Sequence, residues 1–248
     1  MGLIGAFITP IFSSTPLYIM NPEHFIAEPM NWLKLISKVR ANITVAPNFA
    51  YGLCCRRYKE LGGIDLNLES LTYSLCGAEM IHPHTLNDFY DTFSNCGLKP
   101  GTIIPVYGLA EATLAVSFSE IKRNPTPWKK FKQKSLAVDA KVEMDSAGLE
   151  VVSVGKALFE TEVEIRGKSG KKLPNGYFGH IFIKSPSVMK GYFIDPDLTR
   201  AALNDGWLNT GDNGFFWQDE LFIGGREKEV IIVRGQNYDP TLIERALI

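Results

Sequence analysis

The chain has no surplus of either charge, no cysteine pair at metal or redox spacing, and no apolar run long enough to cross a bilayer. With 26 Lys and Arg against 27 Asp and Glu, nothing draws it electrostatically to nucleic acid or to an anionic membrane. Its four cysteines, Cys54, Cys55, Cys76 and Cys96, form no Cys-x-x-Cys spacing, so neither a zinc site nor a thioredoxin-like motif is indicated. Reduced thiols and a cytoplasmic location are the expectation. The uncharged opening, Met1 to Phe12, lacks the basic start and small-residue cleavage site of a signal peptide. It is too short for a membrane span and carries Pro10. It reads instead as interior chain of a larger domain.

Familiar motifs are missing too. No GxGxxG, GxSxG or HExxH occurs. Gly167-Lys168-Ser169 has Glu162 where a P-loop requires its first glycine, and it reads as a turn. His82-Pro83-His84 lacks convergent ligands and reads as a helix start rather than a metal site.

What is present begins with alternation. Pro29 to Arg40 has Trp32, Leu35, Ile36 and Val39 at helical spacing. Asn42 to Ala46 is a β-branched run, Phe49 to Leu61 a second helix, Leu71 to Cys76 a second strand, and Pro83 to Asn95 a third helix stopped at Gly97. An apolar strand then runs from Ile103 to Tyr107. Strands alternating with helices predict a parallel sheet with flanking helices. Its strand ends, at Ala46-Pro47-Asn48, Cys76-Gly77-Ala78 and Tyr107-Gly108, share one edge, where open α/β sheets bind ligands. After Gly108, the run Leu109 to Val116 predicts a helix whose N-terminus offers N–H groups to phosphate. Tyr107 offers a flat face for a base, and Glu111 a hard oxygen ligand for Mg²⁺.

From Glu120 to Lys141 basic residues and prolines crowd together and read as a solvated loop, with a docking surface for an acidic partner as the alternative. After residue 149 the pattern turns to short strands: Leu149 to Val154, Thr161 to Arg166, Tyr177 to Lys184, Trp207 to Asn209, Gly214 to Trp217, Leu221 to Ile223 and Glu229 to Arg234. A short helix, Asp195 to Leu203, interrupts them. This predicts a smaller antiparallel β subdomain after the α/β part. Asp239 to Ile248 reads as a helix that has only begun. Asp212, after a glycine turn, can accept from two vicinal hydroxyls, a hydrogen bond to a charged group contributing about 1.5–3 kcal/mol, or can satisfy the backbone of its own turn. Arg226, after Gly224-Gly225, can reach a hydroxyl or phosphate with its planar fork, or its charged run can be a hairpin turn or a hinge.

Val106-Tyr107-Gly108-Leu109-Ala110-Glu111-Ala112-Thr113-Leu114, Asn209-Thr210-Gly211-Asp212 and Gly225-Arg226-Glu227-Lys228 resemble, in order and spacing, the adenylate-forming enzymes: acyl-CoA synthetases, adenylation domains and luciferases. Met1-Gly2-Leu3-Ile4-Gly5, Pro47-Asn48-Phe49-Ala50-Tyr51 and Gly77-Ala78-Glu79 resemble the fatty acyl-AMP ligase branch. The resemblance implies part of an adenylate-forming N-terminal domain: an α/β part over 1–120, an insertion-like basic region over 121–152, a β-rich subdomain over 153–225, and over 226–248 a hinge with the start of a small C-terminal domain. It implies that Gly77, Ala78, Tyr107 and Gly108 border the adenine of ATP and that Glu111 is the catalytic carboxylate holding Mg²⁺. Asp212 and Arg226 would take the ribose, Asn48 and Phe49 would wall a fatty-acyl tunnel, and Lys228 would be the hinge. The implied reaction joins a fatty acid to AMP, then passes the acyl group to the phosphopantetheine thiol of an acyl carrier protein. The family's phosphate loop would lie before Met1 and its small-domain lysine beyond Ile248, so the chain alone is expected to be inactive. The alternatives are a non-catalytic remnant that binds nucleotide or carrier protein, and an acyl-CoA ligase.

Overall fold

The structure is a computed structural model that describes residues 1–121 and 127–226, together with the backbone of 231–233 and 236–238. It divides into two compact units, one of residues 1–107 and 119–127, the other of residues 108–118 and 128–248.

The first unit opens with a π-helical segment, Gly2–Ile8, followed by α1 (Thr9–Phe12) and α2 (Pro22–Ala27). No residue of Gly2–Ile8 or α1 is buried, and Phe12 is 89% exposed. The rest follows the predicted alternation: α3 (Met30–Val39), β1 (Ile43–Ala46), α4 (Asn48–Glu60), β2 (Tyr73–Cys76), α5 (Pro83–Phe93) and β3 (Ile103–Tyr107). The strands pair in parallel, β1 with β2 and β2 with β3. Helix α3 buries Met30, Leu33 and Ile36, one stripe at helical spacing. Helix α5 buries Leu86, Phe89 and Phe93, each large apolar side chain contributing roughly 1.5–3 kcal/mol. Rings join the helices: Tyr51 of α4 meets Phe89 at 5.0 Å and Trp32 of α3 at 5.4 Å, both edge to face. Helix α5 runs into a 3₁₀ turn, Ser94–Cys96, and stops at Gly97. Gly97 has φ 85°, and a Cβ there would strike Glu69, so only glycine fits.

All four cysteines are free thiols buried in this unit. Burial pushes the Cys55 thiol up to about 12, and those of Cys54 and Cys76 higher still, which makes them packing residues rather than nucleophiles. At the surface the Arg57 fork clasps Glu28 at 2.8 and 3.0 Å, and this hydrogen bonding holds the Glu28 carboxyl below its usual range.

The second unit is mostly antiparallel. β4 (Ser117–Phe118) pairs with β7 (Lys156–Ala157), and β5 (Trp128–Phe131) with β6 (Leu149–Val152). A larger sheet runs in the order β10 (Leu203–Asn204), β11 (Trp207–Trp217), β9 (Gly179–Lys184), β8 (Glu162–Arg166), with β12 (Glu220–Arg226) on β11. Helix α6 (Pro196–Ala202) precedes β10, capped by the Asp195 carboxylate on the Leu198 N–H. β13 (Ile231–Val233) and β14 (Gln236–Tyr238) form a separate antiparallel pair.

Three expectations change here. Residues 109–116 do not form a helix; a single 3₁₀ turn, Ala110–Ala112, is all that appears. Thr113, β-branched and at φ 67°, turns the chain back, and the Leu114 carbonyl comes to lie against the Gly108 α-carbon. The helix N-terminus expected to receive phosphate is therefore absent. Second, the basic stretch after Pro127 is not a bare solvated loop. Phe131, wholly buried, anchors β5 in a cluster with Val142, Val151, Phe178, Phe215 and Phe222. The flanking lysines find acids, Lys130 with Glu150 at 3.3 Å and Lys132 with Glu143 at 3.0 Å. Third, Trp207 to Trp217 is one strand whose register shifts between Asn209 and Asn213, in place of the two expected strands. The two rejected motifs take the expected forms. Gly167 to Gly170 is a turn closed by a hydrogen bond, and His82 is the N-cap of α5. The expected helix from Asp239 lies outside the described residues.

Phe131→Ala is expected to lower unfolding free energy of the second unit by about 3–5 kcal/mol, read as a lower urea midpoint by circular dichroism. The exposed apolar side chains of residues 3–12 are expected to bind a hydrophobic dye and drive self-association; a sharp monomer peak on sizing, without dye binding, is the contrary result.

Candidate functional site

Within the first unit, parallel pairing sets Ala46 level with Cys76, and Cys76 level with Pro105. The turns after β1 and β2 and the end of β3 therefore share one edge, as the sequence predicted. At Gly77 the backbone passes so close to β3 that a Cβ would sit 2.5 Å from the Val106 carbonyl oxygen. Ala78 follows at φ 70°, an uncommon conformation for a residue with a side chain. A reciprocal clamp holds this loop against α4. The Phe49 N–H donates to the Glu79 carboxylate at 2.6 Å, and the His82 N–H donates to the Asn48 side-chain oxygen at 3.1 Å. Glu79 thus caps a helix that has no cap of its own. Asn48 is buried in making its bond, whereas Phe49 is half exposed. Tyr107 is buried, 8% exposed, at the end of β3.

Within the second unit, two carboxylates are fixed. Glu111 sits on the 3₁₀ turn, and the Tyr192 hydroxyl donates to its Oε1 at 2.9 Å. Burial, then the contact with Glu111, pushes the Tyr192 phenol above its ordinary value. Asp212, only 5% exposed, stands on the irregular stretch of β11 directly opposite Arg226. The Arg226 Nε donates to its Oδ1 at 2.8 Å. The bulge is braced from below: Thr210 Oγ1 donates to the Ile181 carbonyl at 2.9 Å and accepts the Asp212 N–H at 3.1 Å. Gly211, at φ 73°, gives its N–H to Asn209 Oδ1 at 3.1 Å. Asp212 and Arg226, from separate stretches of the sequence, are thus one ion pair. Lys228 lies outside the described residues.

The chain matches the family described as AMP-binding enzyme over residues 1–193. It belongs to that family.

Among curated relatives, a putative acyl-CoA synthetase of Caulobacter vibrioides is 34% identical over 98% of this chain and 43% of its own length. A medium-chain-fatty-acid–[acyl-carrier-protein] ligase, TtuA of Teredinibacter turnerae, is 32% identical over 100% of this chain and 41% of its own. Among solved structures, one from a study of fatty acyl-adenylate ligases from E. coli and L. pneumophila superposes with a TM-score of 0.90 at 36% identity, over 100% of this chain and 45% of that one. The chain therefore spans less than half the length of these relatives.

Tyr192 escaped the sequence analysis, and Asn209 and Thr210 stand in the stretch that resembles the family but carried no role of their own there. Tyr192 had a signal, an aromatic with a polar tip beside Gly191, but nothing local tied it to Glu111, 81 residues away.

Gly108→Ala would drive a Cβ into the Leu114 carbonyl. It is expected to cost about 1–3 kcal/mol, as overpacking does, and to lower the midpoint in a urea melt; an unchanged midpoint is the contrary result.

Proposed function

We propose that this chain forms the adenosine-binding part of a fatty acyl-AMP ligase. The reading rests on Asp212, a buried carboxylate held by Arg226 on a braced bulge. Burying a carboxylate is costly without partners. A carboxylate accepts hydrogen bonds at both oxygens, which is the chemistry that the vicinal hydroxyls of a ribose require. Gly77 and Ala78, where backbone strands approach closely, would border adenine, with Tyr107 and Gly108 beside it. Asn48 and Phe49 would wall the acyl tunnel, and Lys228 would be the hinge.

Mg²⁺ fits Glu111 on its chemistry. Among the described residues no cluster of three metal-binding side chains exists. Mg²⁺ with a nucleotide usually takes one or two carboxylates, several waters and phosphate oxygens. Glu111, half-buried with one oxygen held by Tyr192, suits that role. When bound, the cation would neutralise charge on the phosphates.

In the proposed reaction a fatty-acid carboxylate oxygen attacks the α-phosphorus of ATP. The bond to the β-phosphate oxygen breaks, pyrophosphate leaves, and acyl-AMP forms. A phosphopantetheine thiol of an acyl carrier protein then attacks the acyl carbonyl and AMP leaves. The contribution of the chain is positional and electrostatic. The similarity to TtuA, whose name gives a carrier-protein acceptor, supports this choice; the putative acyl-CoA synthetase supports coenzyme A as the second reading of the acceptor.

Because the chain spans under half of these relatives, fatty-acid-dependent ATP–pyrophosphate exchange by the purified chain is expected to be negligible, while AMP binding persists. Asp212→Ala is expected to weaken AMP binding by calorimetry about tenfold or more, the loss of a hydrogen bond to a charged group. Clear exchange would refute the first expectation. Equal affinity in the variant would refute the ribose role.

A further inference from the structure

We propose that Tyr192 is a positioning residue for Glu111, and that the segment Ser187–Tyr192 is a strap that aims this carboxylate at a nucleotide-bound cation. The inference rests on the reading of Glu111 as the metal-facing carboxylate.

Three hydrogen bonds tie the strap to the turn at Ala110–Ala112. The Tyr192 hydroxyl donates to Glu111 Oε1 at 2.9 Å. The Met189 N–H donates to the Glu111 carbonyl at 2.7 Å. The Thr113 hydroxyl donates to the Ser187 carbonyl at 2.7 Å. Glu111 is thus held at both its backbone and its side chain by one short segment. The turn supplies little rigidity of its own: it is a single 3₁₀ turn without a side-chain cap.

The strap is fixed in turn by helix α6. Thr199 Oγ1 accepts the Tyr192 N–H at 2.9 Å and donates to the Asp195 carbonyl at 2.7 Å. Gly191 lies against the same threonine, closely enough that a Cβ would come within 2.8 Å of its methyl. The chain of support runs from the capped start of α6, through Thr199, to the Tyr192 ring and the Glu111 carboxylate. A phenol that occupies one carboxylate oxygen orients the other, as outer partners of metal ligands do. Without it the glutamate explores several rotamers, and the cation must order it on binding.

The test measures binding of MnATP to the purified chain by water-proton relaxation enhancement, which needs no turnover. Wild type is expected to give saturable enhancement and Glu111→Gln to abolish it. Tyr192→Phe, which removes one oxygen and keeps the ring, is expected to weaken binding about tenfold, the lower range for loss of an outer partner. Thr199→Val, which loses the acceptor for the Tyr192 N–H, is expected to fall between wild type and Tyr192→Phe, and Thr199→Ser to match wild type. If Tyr192→Phe binds MnATP as tightly as wild type while Glu111→Gln does not bind, Tyr192 positions nothing, and the reading of Glu111 stands. If wild type gives no enhancement, or Glu111→Gln matches it, the reading of Glu111 fails and this inference with it.

Discussion

The Leu114 carbonyl lies where a side chain on Gly108 would have to be. That close approach decides the path of the chain after β3. It replaces a helix by a reversal at Thr113 and leaves Glu111 on an isolated turn. A helix would have carried Glu111 on its own backbone hydrogen bonds. The turn instead borrows its order from Ser187–Tyr192, far away in sequence. A carboxylate held by a phenol rather than by a helix is aimed by tertiary structure.

Asp212 presents the same problem in another form. It is a buried acid on a strand, where an unpartnered charge costs several kcal/mol. The bulge fixes where the acid sits, since Gly211 turns the backbone and Thr210 and Asn209 take up its N–H groups. Arg226, from the facing strand, answers part of the cost of the buried charge. Its own side chain is 57% exposed, against 8% for the aspartate, so the arginine keeps its hydration while the acid gives up most of its own. In the first unit the Gly77 loop is held with the same economy: Glu79 caps α4, and Asn48 at the start of that helix takes the His82 N–H.

The first unit was legible because its information is local. Leu86, Phe89 and Phe93 recur at helical spacing on a helix that buries them, and each strand is a short apolar run; on α3 the buried face is Met30, Leu33 and Ile36, so of the expected stripe Trp32, Leu35, Ile36 and Val39 only Ile36 is fully buried and the others are half-buried. The family was legible because three separated stretches kept their order and spacing. Where reading failed, the deciding contact was distant or sparse. Helix propensity over 109–116 carried no knowledge of the Gly108–Leu114 approach. β5 hid among lysines because its burial rests on one residue, Phe131, whose ring partners Phe215 and Phe222 lie more than 80 positions on. β11 looked like two strands because the glycines at 211 and 214, which permit its bulge, also resemble a break.

The central claim is that the buried Asp212, held by Arg226, takes the ribose of a bound nucleotide. The most direct measurement is a crystal structure of the chain with AMP bound. The expected result has both ribose hydroxyls at hydrogen-bond distance from Asp212. AMP bound with its ribose away from Asp212 would contradict it.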